Sequence, residues 1–315
     1  MSSIDTAELK RHHNLNTYII SLCIIGILLI MTFLTGFFVF EFFYFFTFLC
    51  LMIILFSILK PNFFSAFTQF VSIKNEHALF ITVIEQVWGS KILYDESKGY
   101  TTSDIRSSQL LKHFTNDLAD KDNMFGVDSS DMVFAKWNDI EFTLADISIT
   151  SVAIKNIISP KLSFAVSYRN DNLQAQSYLL FRASYPFDFE GQTWVQPKYR
   201  KFITPQSMPV NLESSEFDKI YRASTTDQVG ARMALQTDII SAMIDLEKVS
   251  PGKNVPSYTF IKNELWIAIP INRKWMDLNL FVSVPNQLQN TKQMLEYVSQ
   301  IAIKLKLNSM GNHVK

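Results

Sequence analysis

Apolar residues are concentrated near the start of the chain. Residues 17–40 contain no charged side chain, Glu41 interrupts the run, and residues 42–59 continue it. A helix needs about 20 apolar residues to cross a bilayer, so this pattern predicts a transmembrane helical hairpin over residues 17–60. A signal peptide is the alternative, but its apolar region is usually about 7–15 residues long and is followed by small residues.

Basic residues indicate the orientation of this hairpin. Lys10 and Arg11 precede it, and Lys60 and Lys74 follow it. Lys and Arg near a span favour the cytoplasmic side of the membrane, so both termini are expected in the cytoplasm. Glu41 is interpreted as the tip of the turn, with an intramembrane functional carboxylate as the alternative.

After the hairpin, the spacing of apolar residues becomes helical. Phe80, Val83, Ile84, Val87 and Trp88 recur at the spacing of one helical face, and one long helix is predicted over residues 61–88. Thr101 can cap a shorter helix that ends near Leu111.

Between residues 123 and 193, apolar positions recur every second residue, the period of a strand with one buried face. The alternation predicts strands at 140–149, 162–168 and 177–181, and hence an antiparallel sheet. Its phase changes at Ala145–Asp146, which a bulge or bend would explain.

The last third of the chain mixes both periods. Thr225 and Gln228 match a capping box for a helix that runs to about Lys248. Two short strands around Lys262–Asn263 predict a hairpin, and residues 288–305 predict a final helix.

Together these patterns predict an α+β protein. An N-terminal two-helix transmembrane hairpin precedes a cytoplasmic domain with an antiparallel sheet and a C-terminal helix-hairpin-helix half. The segments are a short cytoplasmic N-terminus at 1–16, the hairpin at 17–60, a helical connector at 61–118 and the cytoplasmic α+β domain at 119–315.

Composition narrows the chemistry. The 29 Lys and Arg residues balance 29 Asp and Glu residues, which argues against a nucleic-acid partner. Cys23 and Cys50 both lie in the predicted spans, and residues 114–312 contain no His. Glycines beyond residue 60 are too far apart for a phosphate-binding loop. No catalytic residue, metal ligand or cofactor is therefore predicted.

An acidic cluster over residues 117–131 is the one candidate metal site. A calcium loop starting at Asp120 would need Gly and Glu where Phe125 and Asp131 stand. A solvated acidic loop is favoured for this reason, and metal binding is the alternative.

Several segments of the second half resemble a known family. They are Leu212-Glu213-Ser214, Glu216-Phe217, Ser224 to Arg232, Trp266 to Pro270, and Leu305 to Asn308. Upstream, Asp122 to Gly126 and Phe189 to Thr193 extend the similarity. These residues, with the paired apolar runs, resemble the bacterial membrane family known as domain of unknown function 3137. The resemblance implies the bacterial inner membrane as location. It also implies a membrane protein of the LemA type as partner. A homo-oligomer is the alternative, independent of the resemblance.

The chain departs from the pattern of that family at three places. Gly230 stands where an acidic residue is usual, and Met233 to Thr237 and Met276-Asp277 replace other family residues. These departures bear on a shared ligand site more than on the fold.

Three function classes remain. The favoured one is a membrane-anchored, non-enzymatic scaffold or regulatory protein with a cytoplasmic protein- or lipid-binding domain. The alternatives are a carboxylate-dependent enzyme at the membrane surface and an oligomeric transport component. The family motif supplies the residues expected to have structural or partner-binding roles: Glu213, Phe217, Asp227, Ala231 and Arg232.

Arg232 carries the most specific hypothesis. Its spacing from Val229 and Leu235, both expected to face inward, places it near the core, where a charge must be paired. Glu213 or Glu216 could clamp it through a partly buried hydrogen bond. A solvated Arg and an Arg that binds a ligand carboxylate or phosphate are the alternatives.

Overall fold

The computed structural model describes residues 3–39, 72–73, 77–89, 92–110, 125–151, 176–189, 191–199, 207–250, 255–271 and 274–312. The chain divides into two compact units, Met1–Leu79 with Met276–Gln287, and Phe80–Trp275 with Leu288–Lys315.

Helices and strands are interspersed along the chain. In order they are α1 (Ser3–Val39), β1 (Ser72–Ile73), α2 (His77–Trp88), β2 (Leu93–Asp95), α3 (Thr102–Ser108), β3 (Phe125–Trp137), β4 (Ile140–Ser151), β5 (Gln176–Ser184), β6 (Gln192–Pro197), β7 (Met208–Pro209), α4 (Ser215–Ile220), β8 (Tyr221–Thr225), α5 (Gln228–Ala234), α6 (Thr237–Val249), β9 (Ser257–Ile261), β10 (Glu264–Ile271), β11 (Leu278–Asn279) and α7 (Val284–Asn312).

In the first unit, the start of α1 is bonded to a segment distant in sequence. The Arg11 side chain is buried and donates to the Leu280 carbonyl oxygen at 2.8 Å. Glu8 accepts a hydrogen bond from the Val284 backbone N–H at 2.8 Å and forms an ion pair with Arg11 at 2.6 Å. Strands β1 and β11 pair antiparallel in the same unit.

The predicted transmembrane hairpin is wrong. Across the part of the chain that the structure describes, no helix is both long and apolar enough to span a membrane. The first apolar run is not a separate element, because α1 begins at Ser3 and includes the charged residues before it. The second predicted span, with Glu41, lies outside the described residues.

The α+β class itself is confirmed, with some changes to the elements. The long helix predicted over 61–88 is wrong, since Ser72–Ile73 is a strand and α2 begins at His77. The predicted face of α2 is confirmed, with Phe80, Ile84 and Trp88 buried. The strand predicted at 162–168 lies outside the described residues.

Among the residues that the structure describes, the second unit is built on a nine-stranded sheet with the order β2-β3-β4-β5-β10-β9-β6-β8-β7. Every neighbouring pair is antiparallel, as the period-two pattern predicts. The hairpin around Lys262–Asn263 is confirmed as the connection from β9 to β10. Lys262 adopts a positive φ of 51° at this turn.

One face of this sheet packs against α2, α6 and α7. The Trp88 ring stacks on Phe142 at 5.4 Å between centroids, and its Nε1–H donates to Ser299 on α7 at 2.8 Å. The Tyr221 hydroxyl donates to the Met243 carbonyl oxygen on α6 at 3.3 Å. These large aromatic side chains bury much apolar area and therefore fix the helices on the sheet.

The opposite face holds a second core beneath α3. Tyr100 packs on Trp266 at 5.4 Å between ring centroids, and Ile105 and Leu110 are buried beside them. The side chain of Thr101 caps α3, as predicted, although the helix ends at Ser108 and not near Leu111. Thr101 and Asp104 also form a capping box.

The bulge lies on the strand next to the predicted position. The register shifts between Ser130 and Val133 of β3, opposite Leu144 and Asp146 of β4. Asp131 in this bulge has a positive φ of 60°. The phase change in β4 arises because both of its faces are covered, with Leu144 and Ile147 each 1% exposed.

Candidate functional site

Two of the family-like segments meet where β6 pairs with β8. Their contact residues form a hydrogen-bonded cluster, here called the hub: Gly191, Gln192, Thr193, Thr225, Thr226 and Asp227. The Gln192 N–H donates to Thr226 Oγ1 at 2.9 Å, and the Thr226 N–H donates back to the Gln192 carbonyl oxygen at 3.0 Å. The buried Thr193 and Thr225 hydroxyls lie 3.0 Å apart.

Gly191 allows the two segments to approach this closely. Its φ is +68°, a conformation that favours glycine. A Cβ at this position would lie 2.6 Å from Asp227 Cβ and 2.9 Å from Thr226 Oγ1. The glycine in the family-like segment Phe189 to Thr193 therefore has a packing role as well as a backbone role.

Asp227 connects the hub to α5. Its carboxylate accepts hydrogen bonds from the backbone N–H groups of Gly230 at 2.6 Å and Val229 at 3.4 Å. Asp227 is therefore the N-cap of α5, and the capping box predicted from Thr225 is two residues too early. Thr225 instead ends β8 and accepts from the Asp227 N–H at 3.0 Å.

The single helix predicted up to Lys248 is in fact two helices. Helix α5 ends at Ala234, and α6 begins at Thr237. Val229 is 62% exposed, so its predicted inward orientation is wrong, whereas Leu235 is buried as predicted. The break creates a concave surface between the two helices.

A groove opens at this break, with a volume of about 610 Å³. It is lined by Asn211, Leu212, Glu213, Arg232, Leu235, Gln236, Thr237 and Asp238. The lining includes both signs of charge, contributed by the Arg232 guanidinium and the Glu213 and Asp238 carboxylates.

The buried clamp proposed for Arg232 is wrong. Arg232 and Glu213 are both exposed and face the groove. Within the described residues, Arg232 forms no ion pair with Glu213 or Glu216, and Glu216 lies 4.0 Å from Lys248 instead. Exposed on α5, the guanidinium needs no protein partner, because water satisfies it.

The other motif residues have structural positions. Phe217 of α4 is 1% exposed and packs on Tyr221 at 5.2 Å between ring centroids. Ala231 is completely buried on the inner side of α5. Of the five motif residues, three thus build the fold, and Glu213 and Arg232 are exposed in the groove.

Other contacts hold the groove lining in place. Ser214 caps α4 by accepting from the Phe217 N–H at 3.3 Å, which fixes the residue that follows Glu213. Asp238 Oδ1 accepts from the Ile239 N–H at 2.9 Å, and Lys304 donates to the Asp238 carbonyl oxygen at 3.2 Å. The groove is therefore lined by charged and amide side chains on segments that capping and hydrogen bonds hold in place.

The predicted acidic cluster divides into parts with different environments. Asp117, Asp120 and Asp122 lie outside the described residues, and Asp128 is exposed. Asp131 is buried and bonded, accepting from the Tyr94 hydroxyl at 2.8 Å and from Lys274 Nζ at 3.2 Å.

The environment of Asp131 favours its charged form. Burial alone would raise the pKa of this carboxyl. Hydrogen bonds from Ser130 and Tyr94, and the Lys274 charge, together lower the pKa below its usual value. Asp131 is thus a paired charge in a β-bulge.

Sequence reasoning identified the motif but not the groove. The groove depends on the break between α5 and α6, and Thr237–Asp238, residue types that favour helix starts, were the available signal. The exposure of Arg232 depends on which side of α5 faces the sheet. Ala231 is buried and Val229 is exposed, so the side of α5 that carries Ala231 faces inward.

The second unit therefore defines an α+β domain on a nine-stranded antiparallel sheet, with the motif around one groove. Residues 179–307 match the model of DUF3137, described as a protein of unknown function, which confirms the resemblance for that region. No curated protein matches the sequence.

A solved structure shows a distant similarity. It is described as the crystal structure of the mycobacterial trehalose monomycolate transport factor A, TtfA. The TM-score is 0.35 at 7% sequence identity, over 71% of this chain and 94% of that chain.

Proposed function

We propose that this chain is a scaffold or regulatory protein that binds a protein partner in the groove between α5 and α6. The observation that carries the proposal is the division of the motif. Phe217, Asp227 and Ala231 are used in packing and capping, whereas Glu213 and Arg232 are exposed in the groove.

Charge favours a protein over a lipid as the partner. An anionic headgroup would meet Arg232, but it would also meet the Glu213 and Asp238 carboxylates, which repel it. A polypeptide can place opposite charges against each of these groups.

The groove supports binding more than carboxylate catalysis. A carboxylate that transfers a proton at neutral pH is usually held in a water-poor site. Glu213 is exposed, and Asp238 Oδ1 is engaged by the Ile239 N–H.

Site-specific photo-crosslinking of the full chain in cells tests the proposal. Asn211, an exposed residue that lines the groove, is replaced by a benzophenone amino acid, and the same replacement at exposed Lys136 of β3 is the matched control. We expect a light-dependent protein adduct at position 211 and none at position 136. An adduct with twice the mass of the chain would identify the partner as a second copy. No adduct at position 211, or equal adducts at both positions, would refute the proposal.

A further inference from the structure

The groove is lined by two short parts of the chain. Residues 211–213 follow β7, and residues 232–238 include the end of α5 and the start of α6. None of the described lining residues lies in a strand. The groove therefore offers no sheet edge to which a partner strand could be added.

The apolar part of this lining is small. Among the described lining residues, Leu212 and Leu235 are the only apolar ones, none is aromatic, and Leu235 is only 3% exposed. An amphipathic helix docks with its apolar face in a hydrophobic groove, and a proline-rich segment docks on aromatic side chains. The lining suits neither kind of partner.

The three charged side chains of the lining do not neutralise one another. Arg232 shares the groove with Glu213 and Asp238, yet within the described part of the chain none of the three forms an ion pair. Lys304 donates to the backbone carbonyl oxygen of Asp238 and not to its carboxylate. Opposite charges on a partner can therefore approach both signs of charge without displacing a protein ion pair.

A carboxamide adds hydrogen-bonding capacity to the same lining. Gln236 is the N-cap of α6, but its side chain forms no capping hydrogen bond. A carboxamide both donates and accepts, as a peptide unit does, so it can pair with the backbone of an extended segment. A helical partner offers few such groups, because its N–H and C=O groups are bonded along the helix.

Resting on the proposed function, we infer that the partner inserts an extended, polar segment that carries both an acidic and a basic side chain. Arg232 donates to the acidic side chain, and the Glu213 and Asp238 carboxylates accept from the basic one. The Gln236 carboxamide binds the backbone of the segment. Each sign of charge is recognised separately, so reversing one charge of the groove should change one requirement and leave the other.

Selection of peptides displayed on phage, against the immobilised full chain, tests this inference. One library presents random linear peptides, and the other presents random side chains on the outer face of a stable helix. We expect enrichment from the linear library, in peptides that contain Asp or Glu together with Lys or Arg. Enrichment confined to the helical library, or enrichment of uncharged peptides, would overturn the inference.

Charge reversal assigns each requirement to a residue. Selection on Arg232→Glu should make acidic side chains rarer in the enriched peptides and keep the basic ones. Selection on Glu213→Lys should make basic side chains rarer and keep the acidic ones. Lys136→Glu, at an exposed position of β3 outside the groove, is the matched control and should leave the pattern unchanged. The same peptides enriched on all three variants would contradict the assignment.

Affinity for one enriched synthetic peptide gives the size of the effect. By fluorescence anisotropy, Arg232→Glu and Glu213→Lys should each weaken binding by about tenfold or more, and Lys136→Glu by less than about twofold. Raising NaCl from about 50 to about 300 mM should weaken binding to the wild-type chain by about threefold or more, because salt screens exposed charges. Affinity that responds neither to salt nor to either reversal would overturn the inference. Both residues are exposed, so the variants should melt as the wild type does.

Failure of this inference differs from failure of the proposed function. A partner adduct at position 211, combined with enrichment of apolar helical peptides, overturns the inferred partner chemistry and leaves partner binding intact. Absence of both the adduct and any enriched peptide overturns both proposals.

Discussion

The hub and the groove lie next to each other and share the same family-like segments, yet they satisfy their polar groups in opposite ways. In the hub, Thr225 is fully buried and its hydroxyl is bonded to Gln192, Thr193 and Asp227. In the groove, Glu213 and Arg232 are exposed to solvent.

This difference separates two roles within one motif. A buried hydrogen-bonded network is costly to break, because each group left unpaired loses its solvation as well as its partner. An exposed charge costs little to remove. Substitutions in the hub should therefore change stability, and substitutions in the groove should change binding.

The largest effect is expected at Gly191. Gly191→Ala introduces a Cβ against Asp227 and Thr226 at a backbone conformation of φ +68°. We expect a loss of about 3 kcal/mol or more in the free energy of unfolding, from strain and contact together. Urea unfolding of the full chain measures it.

Gly89→Ala is the matched control for this prediction. Gly89 has a similar φ of +58°, but a Cβ there would meet nothing within 4 Å. The control isolates the backbone cost of a non-glycine residue at positive φ, which is about 1–2 kcal/mol. Equal losses at the two positions would show that the close packing of the hub contributes nothing.

Asp131 is a buried, hydrogen-bonded charge outside the hub, and its removal should also lower stability. Asp131→Asn keeps a residue that tolerates positive φ and removes the charge that Tyr94 and Lys274 bind. We expect a loss of about 2 kcal/mol in the free energy of unfolding at pH 7.

The contribution of Asp131 to stability should depend on pH. The pKa of Asp131 is lowered in the folded protein, so its stabilisation is present above the usual Asp pKa of 3.8 and is lost as pH falls through the folded pKa. The stability difference between wild type and variant should therefore shrink below about pH 4. A difference that stays constant down to pH 2 would contradict the assignment to the charge.

Much of the fold could be predicted because the sheet hairpins and the final helix have local patterns. Lys262–Asn263 marks a turn between two apolar strands, and Leu295, Val298 and Ile301 recur at helical spacing and are buried. Such signals depend on neighbours in sequence, which a pattern can show.

Other features depend on contacts that a pattern does not contain. The charged start of α1 is held by residues near 280–284, distant in sequence, and the apolar run alone predicted a separate span. Likewise, Arg232 points outward because its neighbour Ala231 faces inward. That orientation of α5 follows from its N-cap, which is Asp227 and not Thr225 as predicted.

A third prediction concerns the connection between the hub and the groove. Asp227→Ala removes the cap of α5, and we expect a loss of about 1 kcal/mol in the free energy of unfolding. Asp227→Asn retains an oxygen acceptor and should lose less. Because α5 carries Arg232, the Ala variant should also weaken the partner adduct. Wild-type stability in Asp227→Ala would show that the cap does not hold the helix.

The smallest effect on stability is expected in the groove itself. It distinguishes a partner-binding role of the groove residues from a structural one. Arg232→Ala and Glu213→Gln remove exposed groups that form no ion pair with each other, so each should change the free energy of unfolding by less than about 0.5 kcal/mol. We expect both variants to lose the partner adduct while their urea midpoints stay unchanged. Gly191→Ala, in contrast, should lower the urea midpoint. If Arg232→Ala instead unfolded at a clearly lower urea concentration, the guanidinium would stabilise the fold. The distinction between hub and groove would then fail at the residue on which the proposed function depends.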